Sequence, residues 1–589
     1  MIEPRFRWRL PAPVARSASF AAAALEAGFS ERIAGLLIAR GVADPAALEA
    51  FTAPVGEGLH DPGLLPDADR LLARLHQART TGEPVLVFGD FDADGLTGLA
   101  ILVRALRAYG LDSEPYVPSR LDEGHGLSLR AVDSAQAAGR TVIVTVDTGS
   151  SSVAEVAEAA RRGIDVIITD HHSLPPVLPA AIALVNPHRI DSTYPDPRLA
   201  GSGVAFKVAQ LILADMPGGP ERATSLAELA TIGTVADVAP IIGENRAIAR
   251  LGLERLRVAP LPGLAALLAL AGTSASSVDL ETIAFVIAPR INAAGRVGDA
   301  LEAARLLLTD DPAEATDLAI RLQAANVVRR DLTRTAMAEA QAALAAEPGD
   351  AAATVVLGDW PVGVIGLVAG RLADERGRPA VVGTEAEGVI RASCRSAAGV
   401  DLAAVLAECA DLFLRHGGHP GAAGFELPVE RWAEFRDRFL VLVTNAAPPS
   451  SDRRPELKVD LVVSGPEVDY AFLAELRRLD PTGPGNPDPL VVVEGLTVTR
   501  VRAASGGHSQ LTLRKRLDVV DGIAFGRADL AEEVHEGDRL DVVARIVTRI
   551  FGGYESIQLE IRDAAPAGHA AGLAIDLVPP EPLVAGSTR

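Results

Sequence analysis

Three acidic clusters in the first 172 residues each follow a short apolar run. Val85-Leu86-Val87-Phe88-Gly89 leads into Asp90, Asp92 and Asp94; Thr141-Val142-Ile143-Val144-Thr145-Val146 leads into Asp147; Val166-Ile167-Ile168-Thr169 leads into Asp170, His171 and His172. A further acid, Asp237, interrupts the otherwise apolar stretch from Ile232 to Pro240. So many like charges share a small volume only if cations neutralise them. A donor set of carboxylates and imidazoles without thiolate suits Mn²⁺ or Mg²⁺. Asp92 and Asp94 are spaced to reach two different ions, Asp147 is suited to bridge them, and His171 offers a neutral imidazole. Asp170 and His172 either orient His171 or bind directly. Two divalent ions at one site lower the pKa of a shared water and offset developing negative charge, so the chemistry in view is metal-assisted hydrolysis. A lone Asp-x-Asp is usually a cap or a turn, and a lone His-His pair is commonly structural. The co-occurrence of both at strand ends, with a third acid between them, selects the metal reading.

These runs are rich in β-branched residues and separated by helical patterns, as buried parallel strands are. Open α/β sheets bind ligands outside the carboxyl ends of their strands, where all three clusters would lie. Residues 1 to about 80 read as helical, 84 to about 215 as a doubly wound sheet, and 220 to 347 as mainly helical. Asp311-Pro312 starts a long helical stretch that stops at Pro348-Gly349, a length that suits a connection between domains. A second α/β unit spans about 353–445, with Ala353–Leu357 and Ala380–Val382 as its clearest strands. Residues 446–455 are a Pro-rich linker. Strand-like runs then recur at 459–463, 490–494, 510–513, 519–525, 540–547 and 556–561, the signature of a small β-barrel of the OB type.

The chain has 589 residues, too many for one core. With 48% hydrophobic and 23% charged residues it has the composition of an ordinary soluble protein. Two cysteines, Cys394 and Cys409, make no disulfide framework. No stretch is long and apolar enough to span a membrane, the N-terminus is no secretory signal, and the expected location is the cytoplasm. The formal charge of −21 argues against a nucleic-acid partner only as a sum; local patches decide, and nearly every basic residue is Arg, whose planar fork grips phosphate. One such patch is Arg500, Arg502, Arg514, Lys515 and Arg516 in the barrel, with Phe525, Phe551 and Tyr554 available for stacking.

Asp-x-Asp-x-Asp-Gly at Asp90, an isolated Asp-x-Gly at Asp147, Asp170-His171-His172 and Gly233-Thr234-Val235-Ala236-Asp237 together resemble the DHH phosphoesterase superfamily. Within it the chain is similar to the bacterial exonucleases that degrade single-stranded DNA 5′→3′. Ala288-Pro289-Arg290-Ile291-Asn292-Ala293-Ala294-Gly295-Arg296 resembles a signature of that group, and Gly417 to Gly424 resembles that of the DHHA1 domain. The resemblance implies an α/β DHH catalytic domain with a parallel sheet (81–310) after an N-terminal helical region (1–80). It implies a connecting helix (311–348), a smaller α/β DHHA1 domain (349–450), an OB-fold barrel (451–565) and a disordered tail (566–589). It implies two divalent ions, Mn²⁺ or Mg²⁺: Asp92 and Asp147 hold one, and Asp94, Asp147, His171 and Asp237 the other, with Asp90, Asp170 and His172 as catalytic support. Arg120, Arg290, Asn292, Arg296, Arg395, Ser396, Gly418 and His419 are the expected substrate contacts. The implied product is 5′-mononucleotides, in DNA repair and recombination. The implied partners are single-stranded DNA, a single-strand-binding protein and a helicase, around a monomer.

Three positions depart from the pattern. Phe88 stands where the family's pyrophosphatases have His, His125 where Tyr is expected, and Pro361 where His is expected. The last two are expected not to touch the metal set. The competing readings are a DHH phosphodiesterase for short oligonucleotides or cyclic dinucleotides, and a replication scaffold that has lost its chemistry. The region after Asp452 argues against the first and the intact acidic motifs against the second.

Overall fold

The strand Val85–Gly89 is buried along its whole length and flanked on both sides, which is why its sequence is an unbroken apolar run. It lies in a parallel sheet of order Ser113–Tyr116, Val85–Gly89, Val142–Val146, Asp165–Thr169, Ala183–Val185. The chain leaves the first strand outward to Ser113–Tyr116, then crosses back to Val142–Val146 and continues away on the other side. The connections from neighbouring strands therefore diverge between Val85–Gly89 and Val142–Val146, which opens a crevice at their carboxyl ends. The register pairs Gly89 with Val146 and Val146 with Thr169, so Asp90, Asp147 and Asp170 emerge level with one another.

The computed structural model describes residues 2–120, 123–345, 351–397, 399–446 and 454–573. It divides into one unit of residues 59–239 and 247–451 and another of 1–58, 240–246 and 452–589. The first unit holds the parallel sheet, its helices and a second, mixed sheet of order Arg415–His419, Ala422–Pro428, Val389–Arg395, Ala380–Ala386, Thr354–Gly358. The long helix is Pro312–Leu344; the Asp311 side chain accepts from the Ala313 N–H at 2.9 Å, and Pro312 fits the first turn, where no amide partner is needed. Its last turns bury Ala336, Met337, Ala340 and Leu344 against Trp360, Val364, Val368 and Val382 beside the second sheet.

The second unit is built on a barrel of strands Val491–Ala504, His508–Lys515, Asp518–Ala524, Tyr554–Pro566 and Arg539–Phe551, closed by pairing of the first with the last. The strands run longer than the apolar runs suggest, because exposed halves carry polar residues that keep the ladder going. Phe20, Ile33 and Leu37, from helices Ala18–Glu26 and Glu31–Ala39, share a core with Leu461, Val491, Leu511 and Leu540 of the barrel region. Each such side chain contributes about 1.5–3 kcal/mol on burial. The N-terminal region is not purely helical as expected: Arg7–Arg9 is a strand, paired in parallel with Glu456–Lys458. Burial of Trp8, whose Nε1 donates to Asp563 at 2.8 Å, overrides local helical preference there. Residues 447–453 of the expected linker and 574–589 of the expected tail lie outside the described residues, and His569–Gly572 is a short helix. Among the described residues no helix is long and apolar enough to cross a membrane.

Candidate metal centre

Asp92 is the N-cap of helix Ala93–Tyr109, its Oδ1 accepting from the Gly95 N–H at 3.0 Å, so the Asp-x-Asp segment turns into a helix start. The turn before it is pinned by Asn292, whose Oδ1 accepts from the Ala93 N–H at 2.9 Å. Asp94, one residue into the first turn, is buried and receives the start of helix Gly201–Leu213: the N–H groups of Gly201 and Ser202 donate to its two oxygens at 2.7 and 3.0 Å. A helix N-terminus carries partial positive charge, so it attracts and orients a carboxylate.

Asp147 has φ +58°, a left-handed conformation uncommon for a non-glycine residue and concentrated at functional sites. Gly201 and Gly233 let neighbouring helices reach the acids. A Cβ on Gly201 would stand 2.5 Å from the Asp147 Cβ, and one on Gly233 would stand 2.4 Å from Asp94 Oδ1. The close approach at Gly233 brings Asp237, at the end of helix Ala227–Ala236, to His171, with Oδ2 4.0 Å from Nδ1.

His171 Nε2 lies 3.0 Å from Asp147 Oδ1 and 3.9 Å from Asp94 Oδ2. Both Asp147 Oδ1 and His171 Nε2 are buried without a hydrogen-bond partner, because the pair is close but misaligned for one. Orphaned buried polar atoms are rare, and a cation between them is the economical explanation. Ligand atoms of Asp90, Asp92 and Asp147 gather in one group, those of Asp94, His171 and Asp237 in a second, and those of Asp147, His171 and His172 in a third. The residues fit divalent metal ions, and Asp147 faces both the Asp92 side and the His171 side.

Electrostatics agree. Burial, then repulsion from Asp90 and Asp94, pushes the Asp92 carboxyl up to about 6. Burial, then Asp94, raises Asp237 to about 7 and holds Asp147 well above the usual carboxylate range. Asp170 differs. Burial alone would raise it, yet it lies below the ordinary value because His172 Nδ1 sits on its Oδ1 at 2.8 Å and the Ser150 N–H on its Oδ2 at 3.0 Å. The N–H groups of His171 and His172 also donate to Oδ1, at 2.8 and 3.2 Å, so Asp170 is saturated and acts as an orienter. The same hydrogen bond lifts His172 to about 9, against the effect of burial.

Arginines gather beside this cluster. Burial, then the charges of Arg120, Arg329 and Arg395, pulls Arg296 down to about 10. The hydrogen-bond partners of this group are neutral: Arg296 donates to Gly363 O, Arg395 to Ser393 Oγ and Cys394 O, and Arg329 to Asn326 Oδ1, while Arg329 Nε is buried without a partner. Arg120 packs over the Phe91 ring and feels Asp90 and Asp92 through space. Confined guanidinium groups with neutral partners are built to meet an anion.

The expected substrate contacts divide. Arg120, Arg296 and Arg395 come together. Arg290 turns to Gln323 Oε1 and Val286 O, with Arg330 as its charged neighbour. Asn292 supports the Asp92 turn, and the Ser396 hydroxyl is engaged by Val400 O. Gly418 and His419 lie on the exposed edge strand Arg415–His419. Sequence reasoning missed Arg329, hidden in a helix with many arginines, and Ser393, two residues before Arg395 and so on the same face of its strand. The expectation that His125 stays away from the metal set is overturned: its Nδ1 lies 2.7 Å from Asp90 Oδ2. Phe88 is fully buried and stacks on Tyr116, so it offers no ligand.

Comparison with known proteins finds three family models in sequence order: DHH family, N-terminal domain over residues 84–234, DHHA1 domain over 349–445 and RecJ OB domain over 459–563. The fold and domain order are those of a DHH protein that carries both appendages. The single-stranded-DNA-specific exonuclease RecJ of Bacillus subtilis is 35% identical over 570 residues, 96% of this chain and 71% of the relative. That of Dickeya dadantii is 34% identical over 86% of this chain and 92% of its own length. The crystal structure of RecJ in complex with Mn²⁺ from Thermus thermophilus superposes with a TM-score of 0.81 at 30% identity, covering 95% of this chain and 80% of that one. The chain belongs to the RecJ family of single-stranded-DNA-specific exonucleases.

Proposed function

We infer that this chain hydrolyses single-stranded DNA from the 5′ end, releasing 5′-mononucleotides, with two divalent ions, Mn²⁺ or Mg²⁺, as cofactors. The observation that carries the reading is the pair of orphaned buried atoms, Asp147 Oδ1 and His171 Nε2, at the switch point of the parallel sheet. Asp92 and Asp147, with Asp90 adjacent, would hold one ion; Asp94, Asp147, His171 and Asp237 would hold the other. When bound, the ions lower the pKa of an attacking water and offset charge on the phosphate.

The chain's own groups do the rest. Arg120, Arg296, Arg329 and Arg395 bind and orient phosphate oxygens; their charge is confined, the hydrogen-bond partners of the last three are neutral, and a phosphodiester would complete the group. Asp170 fixes His172 through Nδ1. In the metal-free chain that hydrogen bond raises His172 to about 9, which favours Nε2–H as a donor to a phosphate oxygen. The barrel supplies a further contact surface: Arg500, Arg502 and Arg549 line a polar pocket of about 180 Å³ with Gln510 and Thr512. Polarity, strand selection, a role in repair and recombination, a cytoplasmic monomer, and a single-strand-binding protein and helicase as partners rest on family membership.

Product analysis on 5′-labelled single-stranded DNA, with and without Mn²⁺, tests this. Metal-dependent release of labelled mononucleotide is expected. Label retained on long fragments, or activity confined to dinucleotides, refutes it.

A further inference from the structure

Phe91 is buried, and two side chains from one short stretch lie on its ring: the Arg120 guanidinium carbon at 4.9 Å from the centroid and the His125 ring at 4.5 Å, inclined by 47°. This packing sets His125 Nδ1 2.7 Å from Asp90 Oδ2, while the Phe91 N–H donates to Asp90 Oδ1 at 2.8 Å. Both oxygens of Asp90 are therefore fixed, one by backbone and one by imidazole. The His125 side chain is 66% exposed, so core packing alone does not account for its place. Its ordered position comes from Phe91 and Asp90.

We propose that His125 is a positioning residue of the metal centre, acting through its hydrogen bond to Asp90. A carboxylate beside a cation has several orientations of similar energy; a hydrogen bond to one oxygen selects one and leaves the remaining lone pairs aimed at the ion. Asp90 shares a candidate ligand group with Asp92 and Asp147, the side of the centre that Phe88 leaves without an imidazole. The tyrosine expected at position 125 carries its polar atom at the far tip of the ring. Only an imidazole combines packing on Phe91 with a donor at the Nδ1 position, so this role is specific to the residue found here.

The inference rests on reading the acids as a metal centre, and the test separates the two. Mn²⁺ alone is titrated calorimetrically into the full chain and into H125F and H125N. Phenylalanine keeps the ring on Phe91 and loses the hydrogen bond; asparagine keeps a hydrogen-bonding atom near Nδ1 and loses the ring. H125F is expected to bind Mn²⁺ about 10- to 100-fold more weakly, the usual loss for an outer-shell partner, with H125N within about threefold of the parent. The Mn²⁺ resonance spectrum should change in H125F and be restored in H125N. Thermal melting of the metal-free proteins checks folding, and H125L replaces H125F if the latter melts early. Equal affinity in H125F and the parent, or equal weakening in H125N and H125F, overturns the inference. Absence of Mn²⁺ binding in the parent overturns the metal centre itself.

Discussion

Gly201 lies against Asp147 so closely that a Cβ at position 201 would stand 2.5 Å from the Asp147 Cβ and 2.6 Å from its Oδ1. The glycine is what lets the helix beginning there donate to Asp94 while leaving Asp147 its place. Gly201→Ala should push the Asp147 carboxylate aside and weaken Mn²⁺ binding at least tenfold, with about 1–3 kcal/mol lost in stability. Calorimetric titration and thermal melting measure both; unchanged affinity contradicts the geometry.

Asp147→Ala should abolish Mn²⁺-dependent nuclease activity. It removes a buried carboxyl from a crowded acidic cluster but leaves alanine at φ +58°, a cost of about 1 kcal/mol, so the metal-free variant should still fold and melt close to the parent. Parent-like cleavage by the variant would show that Asp147 is not part of the site.

Metal binding should release protons near neutrality. The Asp92 carboxyl lies at about 6 and Asp237 at about 7 in the metal-free protein, and both must be ionised to face a cation. Mn²⁺ affinity should therefore climb as pH rises through 6 to 7. Titrations in buffers of different ionisation heat at pH 6.5 count the protons; none released would contradict the prediction.

Arg329→Ala should raise KM for single-stranded DNA several-fold and flatten its salt dependence by about one phosphate contact, with Mn²⁺ affinity unchanged. Arg329 donates to Asn326 Oδ1 and lies within electrostatic reach of Arg296, which ties it to phosphate rather than to metal. An unaltered salt slope would remove it from the DNA path.

Glu228 makes a stability prediction away from the site. It is buried, Oε1 accepts from the Leu261 N–H at 3.1 Å, Oε2 has no partner, and burial raises the carboxyl to about 7. The folded state thus holds a proton that the unfolded chain releases near 4.5, so this group costs stability progressively as pH rises from about 4.5 to 7. Glu228→Gln should raise Tm at pH 8 and change it little at pH 4.5. A gain of equal size at both values would show that ionisation is not the cause.

The acidic motifs were legible because each sits at the end of a buried strand, and a buried parallel strand writes itself as a continuous apolar run. Asp92, Asp94, Asp147, His171 and Asp237 converge as their positions suggested. The arginines were legible only in part: Arg120, Arg296 and Arg395 meet, whereas Arg290 faces Gln323. Side-chain direction on a helix depends on what packs against it, and no spacing rule carries that. Arg329, and the role of His125, which stood out only as a departure from the pattern, were hidden for the same reason: one depends on which face of the Pro312–Leu344 helix is turned inward, the other on a ring packing against Phe91. The strand Arg7–Arg9 was hidden because three residues have no periodicity to read, and its partner lies at the far end of the chain.

That last pairing has a consequence for how the protein is made. Arg7 meets Glu456, 449 positions further along. At about 5–20 residues per second, a ribosome needs on the order of 20–90 s to deliver that partner. Throughout this interval Phe20, Ile33 and Leu37 have no barrel to cover them. The nascent N-terminus is thus a natural client for holding chaperones, and the last strands to be synthesised are the ones that release it.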